Sequence, residues 1–110
     1  MDQRKLAREI ISTYQKHGWQ IRRVLLRPET RAEFAGKEEQ TLEGARIDEA
    51  PIDAIWFSRP SHGKRDAWEL RLLAETQYAL FETFERDEPE EAREEARREM
   101  EARLRDYVKK

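Results

Sequence analysis

Apolar positions concentrate in two tracts, residues 19–27 and 55–84, and charge dominates the rest of the chain. Over residues 2–17, Leu6, Ile10, Ile11 and Tyr14 recur at helical spacing while Arg4, Lys5, Arg8, Glu9 and Lys16 fill the remainder. That pattern predicts an amphipathic helix. Asp2 is placed to cap its start, and Gly18 to take the left-handed position that closes its last turn. His17 falls in that turn, where the helix dipole favours positive charge. Residues 19–27 then read as a strand stopped by Pro28, which lacks a ladder donor. Ile21 and Leu25 alternate with Val24 and Leu26, so both faces are apolar, as in a central strand.

Thr30 and Glu33 have the spacing of a capping box and predict one short helical turn ending at Gly36. Residues 37–54 show no sustained period and are punctuated by Gly44 and Pro51. They predict a long loop, mobile or functional, that Leu42, Ile47 and Ile52 would pin down. Three strands follow, at 55–59, 67–73 and 77–85, the first two joined by a turn containing Pro60 and Gly63. In the second, Trp68, Leu70 and Leu72 alternate with Glu69 and Arg71; in the third, Tyr78, Leu80, Glu82 and Phe84 alternate with Ala79, Phe81 and Thr83. Short connections predict an antiparallel meander.

Residues 87–110 predict a long helix, with Asp87 or Glu88 at the cap, Pro89 in the first turn, and Lys109 and Lys110 at the far end. Its apolar seam of Ala92, Ala96, Met100, Leu104 and Tyr107 or Val108 is thin, suited to docking on a sheet only at the C-terminal half or to packing in a coiled coil. The order is α, β, long loop, β, β, β, α. It predicts one α+β domain over 1–110, a two-layer sandwich with a four-stranded antiparallel sheet and the N- and C-terminal helices on one face.

Composition narrows the function classes. With 42% charged and 37% apolar residues, the core is small for 110 residues, which favours self-association. The net charge of −2 hides an uneven distribution: residues 1–36 carry +4 and residues 37–54 carry −4. No segment is basic enough to mark a nucleic-acid domain by charge alone. The absence of cysteine excludes disulfides, zinc thiolates and thiol catalysis, and fits a cytoplasmic protein. The charged start excludes a secretory signal there, and no apolar stretch approaches the ~20 residues of a membrane span.

On the predicted sheet, the face away from the helices mixes Trp, Phe and Leu with Arg. Arg22, Trp56, Arg71 and Phe81 mark its centre, the residue types of a protein–protein interface. The expected partner is a second copy, or another protein. A one-residue slip in any strand would exchange its two sets. The alternative is nucleic-acid binding by Arg59, His62, Lys64 and Arg65 beside Trp56, with charge for phosphate and a ring for stacking. A third reading is a small-ligand pocket beneath the 37–54 loop, lined by Trp56 and Phe81.

Ser58, Ser61, His62 and Asp66 lack an accompanying Gly-rich oxyanion segment, and Glu82, Glu85 and Asp87 have no neighbouring histidine. The chain is therefore expected to be non-catalytic, without cofactor or metal: an interaction module that binds no membrane.

Overall fold

The computed structural model describes residues 3–109, apart from the side chain of Glu39; the Asp2 cap and the Lys110 end of the last helix lie outside the described residues. The elements are α1 (Gln3–Lys16), β1 (Gln20–Leu26), α2 (Pro28–Phe34), α3 (Glu38–Leu42), β2 (Arg46–Glu49), β3 (Ala54–Ser61), β4 (Arg65–Leu72), β5 (Ala79–Glu85) and α4 (Glu90–Lys109). They form an α+β domain, as the pattern predicts.

The first helix ends as its sequence requires. Trp19 N donates to Tyr14 O at 3.1 Å and Gly18 N to Gln15 O at 3.0 Å, with Gly18 at φ 85°. This is the paired closure of a Schellman turn, and the Trp19 ring packs edge-on against Tyr14 at 5.9 Å to complete it.

Several features differ from expectation. The sheet has five strands in the order β2-β1-β3-β4-β5, with β1–β2 parallel and the other pairs antiparallel. The additional strand comes from the 37–54 segment, which is not a structureless loop but carries α3 and β2. With a single aliphatic residue, Ile47, in four positions, β2 has no period of its own; it is a strand because β1 offers it a ladder. Thr30, finally, is no cap. The helix α2 starts at Pro28, and the fully buried Thr30 hydroxyl donates to Asp53 Oδ2 at 2.6 Å.

The layering also differs: the terminal helices lie on opposite faces. On one face Leu6, Ala7, Ile10 and Ile11 of α1 join Val24, Leu26, Ile55 and Phe57, with Phe34 and Leu42 from the following short helices. On the other, Met100 and Leu104 of α4 join Leu25, Ala54, Trp56, Leu70 and Leu72. The physical reason is the composition of β1 and β3. Both strands are apolar on both sides, so a single helical layer would leave one apolar face in water.

The docking of α4 through its C-terminal half agrees with its narrow seam, since Met100 and Leu104 are its buried residues. Tyr107 adds a stacked contact with Tyr78 at 3.7 Å. No described helix is long and apolar enough to cross a membrane.

Candidate functional site

The two faces are set by register. Ile55 and Phe57 of β3 pair with Arg71 and Glu69 of β4, and Arg71 and Glu69 pair with Ala79 and Phe81 of β5. These residues therefore share the α1 face. Trp56, Ser58, Trp68 and Leu70 share the α4 face. Strand β1 changes parity midway, because the register shifts between Ile21 and Arg23, leaving Arg22 as the extra residue of a bulge.

The four residues expected at one interface are consequently divided. Arg22 and Trp56 lie on the α4 side, Arg71 and Phe81 on the α1 side. Trp56 is a core residue, 1% exposed, packed edge-on against Trp68 at 5.9 Å, with its indole N–H donating to Glu101 Oε2 at 2.8 Å. Arg71 is buried, and its Nη1 donates to Leu72 O, to Ala74 O at 3.4 Å and to Thr76 O at 3.5 Å. It pins the turn between β4 and β5. A pocket lined jointly by Trp56 and Phe81 does not form, because the sheet separates them.

The basic hairpin set is likewise dispersed. The Arg59 guanidinium lies over the Trp19 ring at 4.5 Å and donates to His17 O at 2.6 Å, and Arg65 pairs with Glu85 at 3.6 Å. His62 and Lys64 are exposed in the turn between β3 and β4, but buried Trp56 cannot serve as their stacking ring. The Ser58 hydroxyl accepts from Arg22 Nε at 2.7 Å.

Phe81 alone of the four presents a large apolar surface, with 58% exposure. It lies on β5, at the open edge of the sheet. Leu72 N donates to Tyr78 O and Arg86 N to Lys64 O, both at 2.9 Å. With a period of two, the even-numbered residues of β5 bond inward to β4 and the amides of Ala79, Phe81, Thr83 and Glu85 point outward. Glutamates cap part of this edge: Glu82 Oε1 accepts from Thr83 N, and Glu88 Oε1 from Glu85 N, each at 3.2 Å.

Behind Phe81 the α1 face is braced by aromatic contacts. Trp19 meets Phe81 edge-on at 6.5 Å, and Tyr14 stacks on Phe57 at 4.0 Å. The Tyr14 hydroxyl donates to the Glu69 carboxylate. Burial, and then that bond, push the Tyr14 hydroxyl well above its usual pKa. Comparison with family models, curated proteins and solved structures finds no match for this chain.

Proposed function

We propose that this chain is a non-catalytic interaction module that pairs with a second copy of itself along β5, with Phe81 at the centre of the contact. The observation that carries the reading is the coincidence of an exposed aromatic ring with outward backbone groups on one edge strand. Such an edge is a template for another strand.

Antiparallel pairing about a two-fold axis at Phe81 sets Phe81 opposite Phe81 of the second copy. Ala79 then faces Thr83, and Glu82 faces Leu80. No carboxylate lies directly across from another, so the register avoids the like-charge opposition that disfavours strand pairs. The Trp19 edge and the Arg59 cation above it hold the Phe81 side chain in place on the α1 side. The capped amides of Thr83 and Glu85 restrict the pairing to a short stretch, which points to a reversible contact below the roughly 1,200 Å² at which stable interfaces begin.

Light scattering across protein concentration tests this reading. The expected result is a mass that rises toward the dimer with concentration, while Phe81→Lys stays monomeric with unchanged circular dichroism. A monomer at every concentration, or a dimer indifferent to Phe81→Lys, refutes it.

A further inference from the structure

The bulge in β1 places two consecutive arginines against the α4 side of the sheet, and the protein treats them differently. Arg23 is neutralised, with Asp48 at 2.5 Å and Glu101 at 3.7 Å. Arg22 is tethered by its Nε to Ser58 Oγ at 2.7 Å but makes no ion pair among the described residues, and its two Nη groups have no acceptor there. A bulge is a device for re-aiming one side chain, and here the re-aimed side chain borders a cavity of about 390 Å³.

Across that cavity stands Arg93 of α4. Its Nη2 donates to Glu88 O at 3.1 Å and Arg86 O at 3.3 Å, which fixes the guanidinium in place. Its Nε is buried without a hydrogen-bond acceptor and is ion-paired with the Glu90 carboxylate at 3.6 Å. The one acid in the lining, Asp66, is paired with Arg86 at 3.5 Å. Gln20 supplies a further polar group, and Trp68 and Pro60 supply apolar wall, with Arg97 covering the Trp68 ring at 4.7 Å. The cavity thus combines Arg22, which has no ion pair among the described residues, and Arg93, whose buried Nε has a carboxylate at 3.6 Å but no hydrogen bond, with an aromatic side, a layout suited to a small ligand with an anionic end and an apolar body.

We propose that this cavity binds a small phosphate monoester, its oxyanion held by Arg22 and Arg93 and its organic part against Trp68 and Pro60. A doubly charged oxyanion suits the site better than a monocarboxylate, because Arg22 and Arg93 both border the cavity; the third arginine of the lining, Arg59, has its guanidinium over the Trp19 ring. The inference is independent of pairing through β5, which lies at the sheet's edge and engages the opposite face through Phe81.

The test is a nuclear magnetic resonance titration of the full chain with phenyl phosphate, with inorganic phosphate and sodium chloride at matched ionic strength as companion series. The expected result is a saturable shift of the Trp68 indole and of the Arg22 and Arg93 side-chain signals, while the Trp19 indole stays unmoved. Inorganic phosphate should shift the arginine signals at higher concentration. Arg22→Gln, which replaces an exposed side chain, should weaken phenyl phosphate binding roughly 10- to 100-fold, the loss of a charge-assisted contact. Arg93→Gln should weaken it as well if its spectrum stays folded. Absence of a saturable shift, an equal response to chloride, unchanged affinity in Arg22→Gln, or binding of an oligonucleotide with phenyl phosphate silent would each overturn the proposal.

Discussion

Trp56 offers the sharpest test of how the sheet is layered. Its side chain is enclosed by Leu25, Leu70, Met100 and Leu104, and the indole N–H is committed to Glu101. Truncation to alanine removes the largest fully buried side chain and leaves a void that neighbours on a sheet and a helix fill only partly. The expected loss is about 3–5 kcal/mol, out of the roughly 5–15 kcal/mol that a domain of this size has in total. Trp56→Phe separates packing from the hydrogen bond. It keeps most of the ring, while Glu101 loses its indole donor but retains Arg23 at 3.7 Å, so about 2 kcal/mol is expected.

Urea unfolding followed by circular dichroism measures both. With a slope near 2 kcal/mol per molar, Trp56→Ala should lower the midpoint by about 2 M. Association through β5 should survive at concentrations of folded variant. A midpoint shift below about 0.5 M, accompanied by loss of self-association, would put Trp56 at a surface and refute the two-sided core.

Two further predictions concern stability. The Asp53 carboxylate accepts from Arg27 N at 2.8 Å and from the buried Thr30 hydroxyl at 2.6 Å, so Asp53→Ala should cost about 2–3 kcal/mol by orphaning both donors. Its ion pair with the half-exposed Arg27 guanidinium adds little. Adding Thr30→Val should recover part of the loss in urea unfolding, and strictly additive costs would contradict the orphan-donor account. The pKa of Tyr14 is raised in the folded state, so the unfolded chain gives up that proton first as pH rises. Stability from this group is fully present below about pH 10 and is lost above it. Tyr14→Phe should therefore show a shallower alkaline decline than the parent chain in unfolding free energy against pH; identical slopes would count against the burial of the hydroxyl.

How far the sequence reached depends on whether each element's information was local. The helix α1 with its Gly18 closure, the alternation within β4 and β5, and the thin seam of α4 are periodic patterns that need no distant partner, and they were legible. The relation of one strand to the next was not. In β3 the run Ala54-Ile55-Trp56-Phe57 is apolar on both sides, so nothing in it says whether Trp56 or Phe57 joins Trp68. The ladder with β4 decides, and it puts Trp56 with Leu70. The bulge at Arg22 exchanged the parity of β1 without any sequence mark.

These non-local choices determine the candidate sites. They divided Arg22 and Trp56 from Arg71 and Phe81, and turned Arg71 into an internal pin. They also brought Arg22 of β1 and Arg93 of α4, seventy-one positions apart, to the border of one cavity. By itself the sequence determined the α+β class and most of the elements, because hydrophobic period and turn chemistry act over a few residues. Only the tertiary structure decided the layering, the parallel β2 and the sides on which the aromatic and basic groups emerge. Strand register and helix placement are settled by burying both faces of one sheet at once, a condition that no single segment carries.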